Sequence, residues 1–102
     1  MEVYKSTLKV TDVALGEIRH KLANSVLENP VPGLVWGKWD NEETDTWHIG
    51  FYELRNATLG KFLEASGITF YLLQYWMAEE LEGKVVDIRD QKIIIEPARK
   101  LD

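Results

Sequence analysis

The residues of this chain that could do chemistry crowd into one stretch, "GLVWGKWDNEETDTWHIGFYE", Gly33 to Glu53. His48 is the strongest candidate, because an imidazole changes charge near neutral pH and can act as a general base. Such a base needs an orienting carboxylate, and Glu43, Asp45 and Glu53 are close in sequence. If the segment is a strand, Tyr52 shares the face of His48 while Glu53 points the other way. A histidine packed among aromatic neighbours accounts for the same pattern without catalysis. His20 lies off the apolar stripe of its own segment and reads as solvated.

Tryptophan is the second signal. Trp36, Trp39 and Trp47 lie in the same stretch, and Trp76 follows later. Trp36 and Trp39 have opposite parity, so a flat strand cannot bury both in one layer. One of them is a candidate for exposure, where a large rigid ring makes a binding anchor. A bulge, or a sheet covered on both faces, would bury both instead. Trp36, Trp39, Trp47, His48 and Tyr52 together form the candidate interaction or ligand surface.

Other chemistries find less. The polar run "DNEETD" (Asp40 to Asp45) has carboxylates suited to a hard cation, but lacks the alternating ligands and central glycine of a calcium loop. It reads as a solvated hairpin tip. The two histidines are far apart and show no HExxH spacing, and neither a phosphate-cradling glycine loop nor a nucleophile elbow occurs. The chain contains no cysteine, which removes disulfides, thiolate nucleophiles and thiolate-held clusters. No catalytic residue, metal ligand or cofactor site is therefore assigned. Twelve basic residues against 17 acidic ones give a net charge of −5, and such a chain repels a phosphate backbone, so no nucleic-acid partner is expected. No apolar run approaches the about 20 residues of a membrane span, and no basic-then-apolar leader opens the sequence. The reading is a cytoplasmic protein.

These residues need a scaffold, and 102 residues suit one domain with one core. "YKSTLKV" reads as a strand ending at Thr11. Thr11 and Asp12 start a helix, the hydroxyl capping an orphan N–H and the carboxylate meeting the positive dipole end. That helix is expected to run on through "VALGEIRHKLANSVL", with Ala14, Ile18, Leu22 and Ser25/Val26 on one stripe. "ENPVPG" ends it, since proline cannot extend a helix. Residues 34–39 and 46–54 are the arms of a hairpin, with Trp47, Ile49 and Phe51 on one face and both faces covered. "NATLGKFLEASG" suggests a short helix, "ITFYLLQ" a central strand, and "WMAEELEG" a further helical turn stopped by Gly83. "KVVDIRDQKIIIEP" closes as a hairpin; a turn at Asp90-Gln91 sets Ile88 against Ile93 and Val86 against Ile95.

The order of these pieces, with "VTDVALGEIRHKL", "PGL", "GITFYLLQ" and "LEGKVVDIRDQKIIIEP", resembles the HesB-like domain, the fold of the A-type iron–sulfur carriers. The resemblance covers roughly residues 5 to 97, and Leu81-Glu82-Gly83 with Asp87 and Pro97 fill places in its pattern. It implies an α+β, mostly-β single domain (residues 1–102) of mixed and antiparallel strands, with an N-terminal amphipathic helix and two short helices. The carriers' cysteines are missing: Gly37-Lys38-Trp39 stands where the first would fall, and only "ARKLD" follows Pro97. The resemblance thus implies the scaffold without the iron–sulfur or iron chemistry. The expectation is a non-enzymatic domain that binds a protein partner or itself. The alternatives are a small-molecule binder or enzyme with a pocket near His48 and Tyr52, and an acidic inhibitor or immunity-type protein.

Overall fold

The computed structural model describes residues 2–98. Its strands are β1 (Glu2–Lys5), β2 (Lys9–Val10), β3 (Pro30–Gly37), β4 (Thr46–Glu53), β5 (Lys61–Ala65), β6 (Ile68–Leu72), β7 (Lys84–Arg89) and β8 (Lys92–Pro97). One α-helix, α1 (Asp12–Ala23), and two 3₁₀ segments, Leu54–Asn56 and Tyr75–Leu81, complete the chain. The strands form a large sheet in the order β1-β5-β6-β3-β4 and a small sheet in the order β2-β7-β8. Both are mixed, so the α+β, mostly-β expectation holds. No helix among the described residues is long and apolar enough to cross a membrane.

The first segment is not one strand. It divides at Ser6–Leu8, with β1 running beside β5 in the large sheet and β2 beside β7 in the small one. Side chains hold the bend: Ser6 Oγ accepts from Leu8 N–H at 3.1 Å, and Glu82 accepts from the Thr7 N–H at 3.1 Å. Glu82 also accepts from the Thr7 hydroxyl and, at 2.6 Å, from the Tyr4 hydroxyl. These donors hold its carboxyl down to about 2.

Thr11 caps α1 as the sequence suggests, accepting from Ala14 N–H at 3.2 Å. Its hydroxyl donates to Asp87 Oδ1 at 2.8 Å, tying the helix start to β7. That bond, with the Ile88 N–H, holds the Asp87 carboxyl below its usual range. Ala14 and Ile18 are buried and Leu22 packs beside them. The helix stops at Ala23, four residues short of the expected end, and Val26 is fully exposed. Asn24 closes it by donating its backbone N–H and its side-chain amide to the His20 carbonyl.

The expected helix in "NATLGKFLEASG" is a strand. Phe62 and Leu63 are both buried, on opposite faces of the large sheet, which a helical stripe would not require. Ser66 and Gly67, at φ 51° and 78°, make the two-residue turn into β6. Paired positive φ values match the twist of the flanking strands. β6 is central, as expected. The closing hairpin has the expected register, Ile88 opposite Ile93 and Val86 opposite Ile95, with Asp90 and Gln91 both at positive φ. Residues 99–102 of "ARKLD" lie outside the described residues.

The main core lies between the large sheet, α1 and the small sheet, around Phe70, Leu34, Leu63, Ile18 and Val86. A smaller cluster of Val31, Ala57, Phe62 and Tyr71 covers the other face of the large sheet, with Tyr52 and Leu73 packed on it. Pro30 and Pro32, expected to lie in a helix-breaking segment, are the first and third residues of β3.

Candidate functional site

The β3–β4 hairpin pairs from Pro30–Glu53 to Gly37–Thr46. Trp36 and Trp47 lie opposite each other and turn into the main core, their rings edge to face at 5.3 Å. Trp47 is only 4% exposed. Ile49 and Phe51 follow it on that face, and His48, Gly50 and Tyr52 take the other, as alternation requires. Tyr52 lies flat over two glycines of this face: a Cβ on Gly33 would fall 2.5 Å from its ring. It meets Tyr71 edge-on at 5.9 Å, and burial raises its phenol pKa.

Trp39 lies beyond the end of β3, in the loop 38–45, so strand parity does not govern it. It is 55% exposed, yet it is held. Its indole stacks on the His48 imidazole, with centroids 3.9 Å apart and planes 7° from parallel. Glu42 fastens both residues. Its Oε1 accepts from the Trp39 N–H at 2.9 Å and lies 2.9 Å from His48 Nε2, while its own N–H donates to the Trp39 carbonyl at 2.9 Å. His48 Nε2 also lies 3.2 Å from the Gly37 carbonyl. Both partners of Nε2 are acceptors, so Nε2 is the donor nitrogen of the ring. The polar loop is thereby folded back over the strand end, and it presents one side of the indole.

Of the five candidate residues, Trp39 and His48 come together at the tip, Trp36 and Trp47 come together in the core, and Tyr52 stands apart over Gly33 and Gly50. The carboxylate that meets His48 is Glu42, not Glu43, Asp45 or Glu53; Glu53 pairs with Arg55. The signal for Glu42 was its place three residues after Trp39, the spacing at which a side chain can bond back to the backbone across a turn. An imidazole oriented by a carboxylate is half of a catalytic relay. Among the described residues no hydroxyl is hydrogen-bonded to that imidazole, and no group of three or more metal-ligating side chains gathers.

Compared with known protein families, curated proteins and solved structures, the chain has no match. The geometry alone therefore carries the functional reading.

One further feature escaped the sequence. Gln74, just past the end of β6, acts as an extra strand residue with its side chain. Its Oε1 accepts from the Trp36 N–H at 3.1 Å and its Nε2 donates to the Trp36 carbonyl at 2.7 Å. Both backbone groups of Trp36 are thereby bonded on the side away from β4, which anchors the base of the tip. Trp76 is more exposed than Trp39, at 69%, and meets Tyr75 edge to face at 5.4 Å. Its neighbour Tyr75 has Lys61 Nζ 5.5 Å from its ring centroid.

Proposed function

We propose that this chain is a cysteine-free, HesB-like domain of the cytoplasm that works by recognition, with Trp39 as the anchor that a protein partner or a second copy covers. The carrying observation is the combination of exposure and restraint at Trp39. A free indole on a polar loop would lose much side-chain freedom on binding. This one has already lost it to His48 and Glu42, so burial of its open side is opposed by less ordering entropy. Large, pre-organised aromatic side chains of this kind dominate interface energetics. Support for the scaffold comes from the element order, which, β5 and the division of the first strand apart, follows the pattern that suggested the resemblance.

The test compares the chain with its Trp39→Ala variant by sedimentation and by affinity capture followed by titration of the captured partner. Loss of about 2 kcal/mol of binding free energy or more is expected on truncation of an anchor residue. A partner, or a self-association, that tolerates Trp39→Ala unchanged would remove Trp39 as the anchor. A strictly monomeric chain whose indole emission does not respond to any cell fraction would remove the recognition reading altogether.

A further inference from the structure

The large sheet opens between β3 and β6. These strands run parallel, but they pair only through Gly33 with Tyr71 and Leu34 with Leu72. The reason is in the sequence. Trp36 turns its N–H and carbonyl away from β4, towards the β6 side, where Gln74 meets them. Backbone direction alternates along a strand, so residues 30, 32 and 34 also face β6. Two of these are prolines, which have no N–H to give. The prolines thus occupy positions that would donate to β6 and none that donates to β4, and the β4 ladder stays whole.

Extending the β3–β6 register by one step would need Pro32 to donate to the Thr69 carbonyl. That bond cannot form. The two-residue turn makes Ala65 and Ile68 the hydrogen-bonded closing pair of the β5–β6 hairpin, so Thr69 turns its own N–H and carbonyl away from β5 and into the opening. A cleft of about 640 Å³ results, within the range of roughly 300–1,000 Å³ typical of small-ligand sites. Leu22, Val31, Phe62 and Ile68 supply apolar walls, and Arg19 of α1 lies at the rim. The Arg19 guanidinium reaches the turn, 4.0 Å from where a Cβ on Gly67 would stand. Among the described residues it takes part in no ion pair. None of the five candidate residues of the hairpin lines this cleft.

We infer that the cleft binds an apolar carboxylic acid with an amide next to its carboxylate, the chemistry of an N-acyl amino acid or of a peptide C-terminus. The amide N–H takes the place of the donor that Pro32 lacks, at the Thr69 carbonyl. The carboxylate pairs with Arg19, and the apolar side chain lies against Ile68 and Leu22 on the side of the sheet that α1 covers. This site is independent of the Trp39 tip.

The experiment is an NMR titration of the labelled chain with N-acetyl-leucine, with N-acetyl-leucine amide and with a pentapeptide ending in leucine. The free acid should give saturable shifts at the Val31, Ile68 and Thr69 amides and at Arg19 Nε. Loss of a charged hydrogen bond should make the carboxamide bind roughly tenfold more weakly. Arg19→Gln, a surface change, should abolish that preference for the acid. Tighter binding of the pentapeptide than of N-acetyl-leucine would assign the site to peptide C-termini; equal binding would assign it to the small acid. Absence of saturable shifts at the cleft, or equal binding of acid and amide, would overturn the inference. Pro32→Ala supplies the missing donor and should weaken binding; unchanged binding in that variant would show that the proline gap is not what makes the site.

Discussion

The two ends of β3 meet the same problem in opposite ways. Each end runs past the two pairs that join it to β6, and each leaves backbone groups without a strand partner. At the Trp36 end, side chains finish the bonding: Gln74 takes both groups of Trp36, and Glu42 takes the Trp39 N–H just beyond the strand. At the Pro30 end, prolines remove the donors and no side chain among the described residues replaces them, so the sheet parts. Satisfied backbone yields a rigid platform for one exposed indole. Backbone turned towards an opening in which proline supplies no donor yields a cleft. One strand thus carries a rigid presenting end and an open receiving end, and the difference is a matter of which residues can donate.

The largest expected effect tests the closed end. Gln74→Ala leaves the part-buried N–H and carbonyl of Trp36 without partners, and unfolding in urea should show a loss of about 2 kcal/mol, at the low end of the penalty of about 1–3 kcal/mol for each fully buried unpaired group. A loss of only a few tenths would mean that water replaces Gln74 and that the platform is not built as described. Glu42→Ala should cost less, about 1 kcal/mol, because its bonds are part-exposed. Its sharper readout is Trp39, whose emission should shift to the red and whose anisotropy should fall. An unaltered indole signal would separate the stacking from the carboxylate.

Acid probes a contact outside β3 and so sets a background for both ends. The Glu82 carboxyl is depressed from its ordinary 4.5 to about 2 in the folded chain. The unfolded state therefore binds the proton first as pH falls. The stability that Glu82 contributes is complete above about pH 4.5 and is lost as pH drops through about 2. The effect is modest because the group is open to solvent. Glu82→Gln should flatten that part of the stability profile; an unchanged profile would show that other carboxylates govern it. The smallest effect belongs to the open end. Pro32→Ala loses the rigidity of proline, about 0.4–1 kcal/mol, and gains one ladder hydrogen bond, about 0.5–1.5 kcal/mol. The net change should lie between a loss of about 0.5 kcal/mol and a gain of about 1 kcal/mol. A large destabilisation would show that the proline ring packs the core rather than merely withholding a donor.

Much of this architecture was legible beforehand because its causes are local. The Thr11 cap, the Ala14–Ile18–Leu22 stripe and the pairing of Ile88 with Ile93 each follow from a few neighbouring residues. β5 was not legible, because burial on both faces leaves Phe62 and Leu63 side by side and erases the alternation that marks a strand. The helix overran for a related reason: Ser25 and Val26 continue the spacing of α1, while Asn24 ends it through bonds that spacing does not show. Near His48 the sequence offered several carboxylates, and a loop of flexible length could have brought any of them to the ring.

The sequence by itself determined what is absent and what is periodic. No sulfur can hold a cluster, two prolines cannot donate, and apolar residues at fixed spacing must face a core. Only the tertiary structure decided that Glu42 meets His48, that Gln74 completes Trp36, and that the prolines face β6 rather than β4. Such pairings depend on how the chain bends in space between residues, and many sequences of contacts satisfy the same local rules. The particular one is chosen when the core closes, because every buried polar group must then find a partner or leave a gap.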